Sequence, residues 1–190
     1  GLVGSEMCIR DRWYLIVVNR WNEIPEDYRV ELTELSNGQK VDSRIYPYLQ
    51  EMFDAARKDG IYPVVREGYR TYDEQQKILD DKIKAYINEG YSQSRAKRIA
   101  KEWVALPGTS EHQLGIAVDI NADKSKSSND EVYTWLAANA HNYGFILRYP
   151  QGKQEITGTS YEPWHYRYVG VDAAREIYER GICLEEYFEQ

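Results

Sequence analysis

The order of its elements limits this fold more than any single motif. Short strand-like runs lie among helices of uneven length, with no regular strand–helix–strand alternation. That order favours an α+β domain over a wound parallel sheet. Trp13 to Val18 is rich in aromatic and β-branched residues and reads as a buried strand. Residues 19–41 are polar, with Pro25 and a turn at Ser36-Asn37-Gly38, and read as an irregular arm. A helix follows, capped by Asp42 or Ser43, apolar at Tyr46, Leu49, Met52, Phe53 and Ala56, and stopped by Gly60. Tyr62 to Val65 reads as a strand. Helices over roughly 73–89, and from a Ser92 cap to Trp103, form a hairpin ended by Pro107. Beyond it, the strand candidates are Ile116–Ile120, Phe145–Arg148 and Tyr161–Val169. A helix capped by Ser128 or Asn129 precedes Gly144, and another starts near Asp172 and breaks at Gly181.

With 190 residues, 42% of them hydrophobic, the chain can build one domain around one core. Its net charge of -7 argues against a nucleic-acid partner, which needs a basic face to neutralise phosphates. It leaves the substrate open, because a cleft can be basic on an acidic protein. The 17 tyrosines suit half-buried packing, and some suit a recognition cleft. Cys8 and Cys183 form no recognisable disulfide framework. Residues 1–12 (GLVGSEMCIRDR) lack periodicity and the basic-then-apolar pattern of a signal peptide. They read as a non-native or disordered leader to a domain at 13–190. The apolar run at 13–18 is too short to span a bilayer.

Three histidines occur: His112, His141 and His165. His112 lies in the loop Pro107-Gly-Thr-Ser-Glu-His-Gln-Leu-Gly115. Asp119 sits inside the apolar strand that follows, facing away from Ile116, Val118 and Ile120. A carboxylate there is costly unless it is paired or bound to a cation. His165 follows Glu162 by three positions. Two imidazoles and a carboxylate suit zinc with one position left open, and Glu162 is placed to serve as a base. Each residue also has a plainer reading: a hydrogen-bonded histidine, a turn carboxylate, a solvated charge. There is no HExxH helix. His141 reads as a surface residue near a helix end.

Four segments go further: Gly68-Tyr69-Arg70-Thr71 with Gln75, Pro107 to Asp119 with its SxHxxGxAxD pattern, Tyr143 to Pro150, and Glu162-Pro163-Trp164-His165 through Gly170. Together, in this order, they closely resemble the VanY-type D-alanyl-D-alanine and LD-carboxypeptidases. The resemblance implies a small single-domain zinc peptidase of the hedgehog/DD-peptidase fold, with a central, mainly antiparallel sheet flanked by helices. It implies Zn2+ held by His112, Asp119 and His165, with Glu162 as general base and Arg70 stabilising the oxyanion. Gln75 and Ser110 would help hold the terminal D-Ala, although capping or loop bonding explains them nearly as well. The implied partners are peptidoglycan stem peptides ending in D-Ala, met outside the cytoplasm by a monomer. Glu67 stands where many members carry serine, and Leu114 where threonine is common. Both are expected near the cleft and bear on substrate preference. An endopeptidase of the same fold and a non-catalytic zinc-bearing wall-binding module are the alternatives. LD versus DD preference stays open.

Overall fold

The computed structural model describes residues 12–189. A hairpin of β1 (Leu32–Glu34) and β2 (Lys40–Asp42) stands beside a four-stranded antiparallel sheet. That sheet comprises β3 (Pro63–Glu67), β4 (Ala117–Ala122), β5 (Phe145–Leu147) and β6 (His165–Tyr168), in the order β3-β4-β6-β5. Helix α1 (Tyr46–Lys58) buries Leu49, Met52, Phe53 and Ala56, and α4 (Asn129–Asn139) buries Val132, Trp135 and Leu136. These side chains share one core with Ile116, Val118 and Ile120. The alternation along β4 therefore turns Asp119 to the opposite face, toward the cleft.

The hairpin of α2 (Tyr72–Asn88) and α3 (Gln93–Trp103) buries few side chains, among them Leu79, Ala96 and Ala100. It lines the cleft rather than the core. Thr71 and Ser92 cap its two helices, Thr71 in a reciprocal capping box with Glu74. The short α5 (Gln154–Thr157), then α6 (Val171–Arg180) and α7 (Leu184–Tyr187), complete the chain. Ala173, Ala174, Ile177 and Leu184 build a second cluster around Ile146 and Val169. Among the described residues, no helix is long and apolar enough to cross a membrane.

Several expectations need correction. Trp13–Val18 is not a strand: Trp13–Leu15 is a 3-10 turn, followed by extended chain outside the sheet. Its carbonyls at Tyr14 and Ile16 instead accept from Arg167 Nη2, at 2.8 and 2.5 Å. The arm at 19–41 is not wholly irregular, because β1 and the start of β2 lie within it. Neither Asp42 nor Ser43 caps α1; Arg44 takes the Asp42 carboxylate (Nη2 to Oδ2, 2.7 Å), and Ile45 holds the cap position before Tyr46, with Pro47 in the first turn. Leu114 is not a cleft residue but is fully buried in the core. His141 is half-buried, stacked on Tyr178 with ring centroids 3.6 Å apart. Cys183 is a buried free thiol. Cys8 and positions 1–11 of the expected leader lie outside the described residues.

The small hairpin matters to the site because it seats Gly68. Gln39 Oε1 accepts from Gly68 N at 2.9 Å, and Lys40 O accepts from Tyr69 N at 2.7 Å. A Cβ at Gly68 would lie 2.3 Å from Lys40 O, which is backbone and cannot swing away. Gly68→Ala is therefore expected to cost about 1–3 kcal/mol, the usual range for overpacking. Urea unfolding would measure it, and a wild-type midpoint would refute the close fit.

Candidate metal centre and active site

Asp119 and His165 face each other across the β4–β6 pair. Neighbouring side chains on one sheet face come within contact range without any help from a loop. His165 Nδ1 lies 3.0 Å from Asp119 Oδ1. His112 arrives from a 3-10 turn, Glu111–Leu114, immediately before β4. Ser110 Oγ caps this turn by accepting from His112 N at 3.4 Å, and Gly115 ends it at φ 81°, where glycine is favoured. His112 Nε2 lies 3.3 Å from the same Asp119 Oδ1. One ligand atom from each of the three residues falls within 4.8 Å of the others.

Hydrogen bonding decides what this cluster fits. His112 Nδ1 is 2.9 Å from the Gly68 carbonyl, which accepts only, so Nδ1 carries the proton. Burial lowers the His112 pKa and favours the neutral ring. Its Nε2 lone pair then faces a carboxylate oxygen, an arrangement that calls for a cation between them. His165 carries the same demand. Burial opposes its charged form, yet bonds to Asp119 and Glu111 raise it to about 9. Zinc, which takes imidazole nitrogen and carboxylate oxygen with an open fourth position, fits this donor set.

Glu111 holds His165 from behind: Glu111 Oε1 lies 3.2 Å from His165 Nε2. It also receives Arg148 Nε at 2.9 Å and Arg167 Nη1. All three side chains are fully buried. Burial alone would raise Glu111, but the two guanidiniums outweigh it and hold its pKa well below the ordinary range. Arg148 in turn reaches Glu185 at 2.7 Å. Outer-shell carboxylates of this kind fix a ligand ring's tautomer and orientation. Sequence reading assigned no role to Glu111, Arg148 or Arg167. For Arg148 and Arg167 the available signal was a charge beside or inside an apolar or aromatic strand; Glu111, in a polar loop, carried none.

Glu162 Oε2 stands 3.7 Å from His165 Nδ1 on the open side of the cluster. Its burial raises its pKa to about 7, the range suited to a group that takes and returns a proton near neutrality. Arg70 Nη2 is 3.9 Å from Asp119 Oδ2, and its Nη1 donates to Gln75 Oε1 at 3.3 Å. Gln75 also donates to the Ala105 carbonyl at 2.9 Å, so both ends of its amide are engaged within the protein. Glu67 does reach the site, with Oε2 3.5 Å from Arg70 Nε. The structure thus brings His112, Asp119, His165, Glu162, Arg70, Gln75 and Ser110 around one cleft of about 850 Å³. Tyr149 forms part of its wall, its ring 4.7 Å from that of His165.

The family model for VanY, D-alanyl-D-alanine carboxypeptidase, matches residues 38–171. A D-alanyl-D-alanine carboxypeptidase of Enterococcus faecalis (strain ATCC 700802 / V583) is 61% identical over 184 residues, covering 97% of this chain and 69% of that protein. Among solved structures, a vancomycin-resistance D,D-pentapeptidase VanY from a VanB-type cassette, in complex with Zn(II), matches with a TM-score of 0.90. It shares 60% identity over 93% of this chain and 99% of that one. VanYB in complex with D-alanine-D-alanine matches equally well, at TM-score 0.90 and 60% identity, over 94% and 98% of the two chains. The LD-carboxypeptidase LdcB follows at TM-score 0.71 and 37% identity, over 91% and 84%.

Proposed function

The chain belongs to the VanY family of D-alanyl-D-alanine carboxypeptidases, and on that premise we propose that it removes the C-terminal D-Ala from peptidoglycan stem peptides in a zinc-dependent reaction. One observation carries the reading: Asp119 Oδ1 is faced by both His112 Nε2 and His165 Nδ1, with Glu162 beside them on the cleft side. His112, Asp119 and His165 would hold the metal. Zinc bound there supplies a Lewis acid and lowers the pKa of water from about 15.7 toward about 7.

The protein's own groups do the rest. Glu162 takes a proton from the water that attacks the carbonyl before the terminal D-Ala, and later delivers it to the leaving amine. Arg70 offers a fixed positive charge to the oxygen that becomes negative. Gln75 holds Arg70 in place by accepting from it, which is a better use of its amide than contact with substrate. Ser110 supports His112 through the cap of its turn. Every one of these residues comes from one chain, so a monomer suffices. Acting on assembled peptidoglycan, the enzyme would work outside the cytoplasm.

Higher identity to D,D-acting relatives than to the LD-carboxypeptidase supports D,D specificity. Defined muropeptides test this together with the metal. The zinc-loaded enzyme is expected to release D-Ala from a pentapeptide ending in D-Ala-D-Ala, and to leave tetrapeptides and cross-linked dimers largely intact. Full chelation should stop the reaction, and added zinc should restore it. Turnover that survives demetallation would overturn the zinc mechanism. Preferential cleavage of a cross-link would make the chain an endopeptidase, and zinc binding without any hydrolysis would make it a binding module.

A further inference from the structure

The cleft is larger than the metal cluster needs, and part of its wall is positive. Helix α3 contributes Lys97, Arg98 and Lys101 to the same cleft that holds His112, Asp119 and Glu162. The spacing explains the arrangement. Ala96 and Ala100 are buried on one side of α3, so Ser94, Lys97, Arg98 and Lys101 form a stripe along the cleft side, with the carboxylate of Glu102 at its edge. All three cations are exposed, and none forms an ion pair with a described carboxylate. Some helix cations elsewhere find local partners, such as Lys77 with Asp81 at 2.8 Å and Arg57 with Asp54 at 2.9 Å, so what sets the α3 cations apart is their clustering in the cleft.

Three cations against the single α3 carboxylate Glu102 in this wall, on a chain of net charge -7, make a local exception to the protein's own field. Beside it, Trp103 and Leu106 stay 62% and 43% exposed in the same cleft. The wall is also tied to the reacting centre: the segment after α3 is held through the Ala105 carbonyl by Gln75, which in turn holds Arg70.

We propose that Lys97, Arg98 and Lys101 form an anion subsite that binds a free carboxylate on the acyl portion of the peptide, upstream of the scissile bond, with Trp103 and Leu106 covering the neighbouring aliphatic part. This rests on the carboxypeptidase reading and extends it to the part of the substrate not undergoing reaction. The ligand chemistry is that of a γ-linked glutamyl residue with its α-carboxylate free; its carboxamide form lacks the charge. Binding energy gathered there is remote from the reacting bond and should be expressed chiefly in KM.

The test compares two pentapeptides that differ only in that carboxylate or carboxamide, alongside a short acetylated D-Ala-D-Ala that cannot reach α3. The wild-type enzyme is expected to favour the carboxylate peptide about tenfold in kcat/KM, through KM, with the preference fading at high salt. The triple substitution Lys97→Gln, Arg98→Gln, Lys101→Gln should erase that preference. Rates on the carboxamide and short substrates should stay within about twofold, because glutamine keeps the helix. Replacing Lys58 and Lys84, exposed cations outside the cleft, with glutamine should leave the preference intact. No preference in the wild type, an equal loss on all substrates, or the same loss from the Lys58/Lys84 pair would overturn the subsite. Calorimetric titration of the two peptides separates the two levels of the claim. A wild-type protein that hydrolyses neither peptide yet binds the carboxylate form about tenfold more tightly would sink the peptidase reading and keep the subsite.

Discussion

Glu162→Gln is expected to lower kcat by about 10²- to 10⁴-fold while leaving zinc content unchanged. In barrier terms that is about 3–5 kcal/mol. The substitution keeps the shape of the side chain and removes its ability to take a proton. Glu162 is not one of the three residues whose ligand atoms cluster, so the metal should stay. Its position, 3.7 Å from His165 Nδ1, puts the carboxylate beside the reacting centre without making it a ligand. Burial, the largest influence on its pKa, raises it to about 7, and proton uptake and return then cost little near neutrality. Steady-state kinetics with metal analysis on the same sample would decide. Substantial turnover in a zinc-replete variant would reject Glu162 as the base, and loss of zinc would show that it supports the metal instead.

The second large effect is expected at Glu111, which never meets solvent. Glu111→Leu should destabilise the fold by about 3–5 kcal/mol, the cost of breaking a buried ion pair from one side. Arg148 would keep Glu185. Arg167 would keep only carbonyl partners, those of Tyr14, Ile16 and Tyr168, among the described residues. Its charge would then be uncompensated in the interior. Zinc affinity should also fall, by about 10- to 100-fold, because His165 Nε2 loses the group that orients it. The pH dependence has a definite sign. The Glu111 carboxyl is held below its ordinary value of 4.5 in the folded protein. Its contribution is therefore complete above that value and is lost as pH falls below it. Glu111→Gln should flatten the acid side of the stability profile. Chemical denaturation across pH, with zinc binding in parallel, is the measurement. A variant as stable as wild type, with unchanged zinc affinity, would show that the buried network is idle.

The metal cluster was legible in the sequence for a local reason. An aspartate inside the otherwise apolar run Ile116–Ile120 is costly unless paired or bound to a cation, and the motif around it named its partners. The network behind it was not legible, because its members meet only after the sheet forms. Glu111 lies 37 positions from Arg148 and 56 from Arg167. Glu111 in its polar loop reads as exposed, and nothing local says otherwise. The same gap explains the false strand at Trp13–Val18. Its composition is right for a strand, but the donors that satisfy Tyr14 and Ile16 come from the Arg167 side chain, not from a neighbouring backbone. Gln75 shows a subtler limit: its presence at the cleft was foreseen, whereas its commitment to Arg70 and Ala105 depends on the packing of the α2–α3 hairpin.

Asp119 opposite His165 has one more consequence, for the way the chain finds its fold. Side chains on a strand alternate sides, so sliding β6 by a single residue along β4 would send His165 through the sheet, away from Asp119. Only one of the two alignments assembles the ligand set. Zinc held by that set would therefore act as a proofreader of strand pairing: its affinity would be added to the correct alignment and withheld from the slipped one.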